Sequence, residues 1–84
     1  MAMNKYIFML QDQYVESMWN FARHNNVFFH YVKTSKNTRS ALISSCFTFE
    51  YTFEGIMSDD TYLAFRLAIP VEKSQCIQLG YYKE

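Results

Sequence analysis

The run Cys46-Phe47-Thr48-Phe49-Glu50-Tyr51-Thr52-Phe53-Glu54 alternates large rings with polar residues over four periods. Successive side chains of a strand point to opposite faces, so this period of two predicts a strand with one buried and one wet face. Four rings on one face are more than a short strand of a small domain ordinarily needs. The strand is expected from about Ala41 to Glu54.

A second alternating segment follows, with Leu63, Phe65, Leu67 and Ile69 on one side and Tyr62, Ala64, Arg66 and Ala68 on the other. It reads as the antiparallel partner of the first, joined through a turn at Gly55 to Thr61 and ended by Pro70, which lacks a ladder donor. Matching apolar faces allows only every second register. The register that suits the turn sets Glu50 opposite Arg66, a pair that would add about 0.2–1 kcal/mol.

The remaining segments are assigned from the same rules. Tyr6 to Leu10 is a short apolar strand. Asp12 is placed to cap a helix whose buried stripe is Val15, Met18, Trp19 and Ala22, at the spacing i, i+3, i+4, i+7. Arg23 and His24 suit its negative end, and Asn25 or Asn26 its left-handed exit. Val27 to Lys33 is a second strand and Thr34 to Ser40 a polar loop. Gln75 to Tyr82 is the last strand. The expected fold is α+β, in the order β-α-β-β-β-β. A single helix packs on one face of a four- to five-stranded, mainly antiparallel sheet, and residues 1–84 form one domain.

Five strands span about 24 Å and one helix covers about 10 Å, so ring-bearing surface is left over. Surplus apolar surface of this kind marks an interface. A homodimer is therefore expected.

Composition removes several function classes. Eight positive and eight negative residues leave no net charge, and with it no general attraction to nucleic acid or anionic membrane. The charge is polarised along the chain. Residues 1–40 carry Lys5, Arg23, Lys33, Lys36 and Arg39 against Asp12 and Glu16, and residues 41–84 carry the acidic excess. Half the residues are hydrophobic, which argues against disorder. The apolar run from Tyr6 stops at Gln11-Asp12, too short for a signal core or a membrane span. Two cysteines, Cys46 and Cys76, thirty residues apart, read as free thiols of a cytoplasmic protein (the host cytoplasm, for a phage or viral product).

No catalytic constellation stands out. His24 and His30 match no zinc spacing with Cys46, Cys76 or Asp12. Asp59-Asp60 lacks a calcium loop around it. Gly55 and Gly80 are the chain's two glycines, too few for a phosphate-cradling loop, so no cofactor is expected. What remains is a small non-catalytic interaction protein, of the type a phage or virus uses to inhibit a host protein by occupying its surface. The expected partner contacts are Lys33, Lys36 and Arg39, read as one basic loop, with the exposed rings Phe28, Tyr62 and Tyr82. The alternative is an RNA- or single-strand-binding module, using rings for stacking and the same basic loop for phosphates. A small ribonuclease-type toxin, acting through the histidines, is a second alternative.

Overall fold

The computed structural model describes residues 2–37 and 48–81. Within them, strand β1 (Ala2–Gln11) leads through a 3-10 turn (Asp12–Tyr14) into helix α1 (Val15–Asn25). Strands β2 (Phe29–Asn37) and β3 (Thr48–Met57) follow, then helix α2 (Asp59–Ala68) and strand β4 (Lys73–Tyr81). The sheet order is β2-β3-β1-β4 and every neighbouring pair is antiparallel. The chain thus forms two interleaved β-α-β units, the split βαβ or ferredoxin-like plan.

This corrects the expectation of a single helix. Residues 62–69, which alternate like a strand, lie mostly in α2. Ser58 caps the helix, its hydroxyl accepting from the Thr61 amide at 3.3 Å. Asp59 and Asp60 occupy the positive first turn and Arg66 the negative last turn, as the helix dipole favours. Tyr62 and Phe65, with Ile69 just past the helix, keep the spacing i, i+3, i+7 and are buried. Leu63 and Leu67 point away from them and are exposed. Apolar residues on both sides of the helix produced the misleading period of two.

The hairpin register falls with that strand. Glu50 lies opposite Gln11 on β1 and Ser35 on β2. Arg66 instead donates to the Ser74 hydroxyl at 3.0 Å and stands over the Tyr62 ring. Gly55 is no turn pivot but an interior residue of β3, paired with Tyr6 and Phe29.

The alternation of the long strand holds where it is described. Phe53 and Met57 are buried in the core, Tyr51 is half-buried, and Phe49 is exposed towards the far end. Phe47 and Cys46 lie outside the described residues. The opposite face is less wet than the pattern implies, since Glu50 and Thr52 are both buried.

The helix-side core is an aromatic stack. Phe65 is fully buried and meets Phe8 at 4.8 Å, Phe21 at 5.2 Å and Phe29 at 5.3 Å between ring centroids. Each such pair adds about 0.5–1.5 kcal/mol beyond area burial. Gly55 makes room for this packing. A Cβ there would fall 2.6 Å from Phe29 Cδ1 and 2.9 Å from its Cε1.

Four strands span about 19 Å, close to the width of two helices at about 10 Å each. The second helix therefore supplies the cover that one helix lacked, and sheet width no longer calls for another chain. In α1, Met18 and Ala22 are buried as the stripe requires, while Trp19 remains 40% exposed. Asp12 makes no capping hydrogen bond and sits inside the 3-10 turn. Asn26 takes the left-handed exit, with φ of 54°.

Candidate functional site

Three surfaces stand out among the described residues. The first is the outer face of α2. Leu63 is 60% and Leu67 81% exposed, and Ala64 and Ala68 beside them are exposed as well. Residues four apart share a helix face, so the leucines form one apolar ridge with the alanines alongside. A depression of about 510 Å³ runs beside it, lined by Asp59, Asp60, Tyr62, Leu63 and Arg66. Its acidic end is the N-terminus of the helix and its basic end the last turn.

The second surface is at the junction of α1 and β2. Phe28 is 84% exposed and borders a cleft of about 560 Å³ with Trp19, Arg23 and Val27. Trp19 makes a T-shaped contact with Phe53 at 5.7 Å, which fixes one wall of the cleft against a core ring.

The third surface is the sheet face away from the helices. Its rows follow from the strand register. Lys33, Thr52, Met9 and Lys73 form one row, and His30, Glu54, Ile7 and Gln75 the next. Lys5 pairs with Glu54 at 3.4 Å on the same face. Apart from the His30 imidazole, no ring stands in these rows, so they present no stacking platform for bases.

The start of α2 is fastened to β1 by a polar cluster. Tyr6 donates a short hydrogen bond to the Asp59 carboxylate, and Asn4 donates to the same oxygen at 2.6 Å. The Tyr6 ring stacks on Tyr62 at 3.8 Å between centroids. Burial, then the hydrogen bond to Asp59, pushes the Tyr6 phenol up to about 12. The cluster positions the helix whose outer side carries the leucines.

Among the described residues, the sequence-predicted contacts are not brought together. Lys33 and Lys36 belong to β2 and not to a loop. They point to opposite sides of the sheet, Lys33 in the row of Thr52 and Lys36 opposite Phe49. A bulge between Tyr31 and Lys33 sets this phase. Tyr62 is buried against Tyr6 and is not an exposed ring. Phe28 is exposed as expected. Arg39 and Tyr82 lie outside the described residues.

His24 donates through Nδ1 to the Asn20 carbonyl at 2.8 Å in the last turn of α1, and His30 faces Glu54 across strands. Cys76 is an exposed free thiol on β4, and no group of three His, Cys, Asp or Glu side chains among the described residues could hold a metal ion. No helix among the described residues is long and apolar enough to cross a membrane.

The sequence pattern hides the α2 ridge, because its leucines also fit the buried face of a strand. The signal that could have found it is Ser58-Asp59-Asp60-Thr61, a helix start with an N-cap and acidic first turn. Read as a helix, the segment has apolar residues on two sides.

The arrangement defines an α+β split βαβ domain with two helices on one face of a four-stranded antiparallel sheet. Comparison with protein-family models, with curated proteins and with solved structures found no match to the chain.

Proposed function

We propose that this protein is a non-catalytic interaction module that seats the outer face of α2 in an apolar groove on a protein partner. The observation that carries the reading is the two-sided apolar character of α2. Tyr62 and Phe65 are committed to the core, yet Leu63 and Leu67 lie outside it. An amphipathic surface helix normally turns polar residues to water. A ridge of two leucines on a marginally stable small domain is a liability for solubility unless something covers it. The acidic and basic ends of the ridge would set the orientation of the partner, since charge at a rim steers and registers an encounter. Such a module would suit a small inhibitor that acts by occupying a surface of its target.

A second copy of the chain is the other occupant that a specific observation favours. Two α2 helices packed antiparallel about Leu63 would bring Asp60 of one near Arg66 of the other. The small side chains of Ala64 and Ala68 would allow close approach.

The test is the double substitution Leu63→Glu with Leu67→Glu. Both sites are exposed, so folding should change by no more than about 0.5 kcal/mol per site. Sedimentation and affinity capture from native host cells are then compared with the parent chain. Hydrogen exchange on any complex should show protection centred on residues 59–68. Loss of the complex, or of self-association, in the variant supports the reading. A complex captured equally by both chains, with no protection in α2, overturns it.

A further inference from the structure

We propose that the helix-free face of the sheet holds a second site, for a small organic anion: a carboxylate or phosphate head on an apolar body. The head lies between Lys33 and Lys73, and the body rests on Ile7, Met9 and Val32. The site is independent of the α2 ridge, which lies on the other side of the sheet.

The strand register places the four key residues in one row. Thr52 faces Lys33 on one side and Met9 on the other, and Met9 faces Lys73. The two lysines therefore stand three strand spacings apart, about 14 Å between backbones. Both line the same cleft, of about 470 Å³, together with Ile7, Met9, Val32 and Thr52. Flexible four-carbon stems let two ammonium groups converge over the middle of the row.

Charge supply on this face is uneven. Lys5 is paired with Glu54. Neither Lys33 nor Lys73 has a carboxylate partner among the described residues. Glu50, one row beyond Thr52, is buried. An anion seated between the two ammonium groups that line this cleft is attracted by both.

Thr52 supplies the second, separate observation. It is buried, and its Oγ1 has no hydrogen-bond partner among the described residues. Buried hydroxyls are ordinarily satisfied, so an orphan in a cleft wall calls for a function. An anionic head seated between Lys33 and Met9, which flank Thr52 in the row, would reach this hydroxyl and accept from it. The aliphatic floor selects for an apolar body and offers no ring for stacking.

Four probes separate the elements of the site: octanoate, octyl phosphate, inorganic phosphate and octanol. Binding is followed by NMR through the Thr52 and Met9 methyl signals of the full chain. Octanoate or octyl phosphate should move both signals saturably, and at least tenfold more tightly than octanol or inorganic phosphate. Lys33→Gln and Lys73→Gln, both at exposed positions, should each weaken that binding by at least tenfold without altering the fold. Thr52→Val, nearly isosteric, should weaken it severalfold. Equal binding of octanol would overturn the role of the lysines, and equal binding of inorganic phosphate that of the floor. Absence of any saturable shift, or lysine variants that bind like the parent, would overturn the site altogether.

Discussion

Replacing Gly55 by alanine sets two effects of opposite sign against each other. Where the backbone suits alanine, the change stiffens the unfolded chain and stabilises by about 0.4–1 kcal/mol. Gly55 lies within β3, paired on both sides, and its backbone is not left-handed. The added methyl, however, would stand 2.6 Å and 2.9 Å from two ring carbons of Phe29 and 3.2 Å from the Phe28 carbonyl oxygen. Phe29 cannot give way freely, because it is buried and wedged against Phe8 and Phe65 at 5.2 and 5.3 Å. Overpacking of a tight core costs about 1–3 kcal/mol. The net effect should be a destabilisation of about 1–2 kcal/mol, out of a total of about 4–13 kcal/mol for a domain of this length. Thermal unfolding by circular dichroism should show Tm lower by about 5–15 °C. A companion change, Phe29→Leu, removes the clashing ring carbons, so the double variant should lose less than the sum of the singles. Should Gly55→Ala unfold at or above the parent's Tm, the idea that this glycine makes a slot for Phe29 is wrong.

Two further outcomes follow from the start of α2. Burial, then the hydrogen bond to Asp59, pushes the Tyr6 phenol up to about 12 in the fold from its ordinary 10.0. Above pH 10 the unfolded chain releases this proton first, so stability is intact below pH 10 and falls between pH 10 and 12, by about 2–3 kcal/mol. Phenolate absorbance should show a late-titrating component that Asp59→Asn brings down; a late component unchanged in Asp59→Asn, or none at all, would contradict the cluster. Ser58→Ala removes the hydroxyl that accepts from Thr61 and should cost about 1 kcal/mol in urea unfolding, with an unchanged denaturant slope. A loss below a few tenths of a kcal/mol would show that Asp59 and Asp60 hold the helix start without the cap.

Local pattern determined much of this protein before any contact was known. The alternation through Phe49, Tyr51 and Phe53 marks β3 because side-chain direction in a strand depends only on backbone pleat. Met18 and Ala22 mark the inner side of α1, and Asn26 its exit, for reasons equally confined to a few residues. Residues 62–69 lie beyond such reasoning. Their leucines obey a period of two and their core residues a helical spacing, and a pattern alone does not say which residues are inside. Tertiary structure decided it. The sheet had one face still bare beside α1, and a helix capped at Ser58 could fill it with Tyr62 and Phe65. That choice turned Leu63 and Leu67 outward and moved Arg66 from Glu50 to Ser74. The candidate sites were hidden for the same reason. Lys33 and Lys73 are forty residues apart in the chain, and only the order β2-β3-β1-β4 sets them in one row with Thr52 between them. Strand order is a property of the packed sheet, which no single strand encodes.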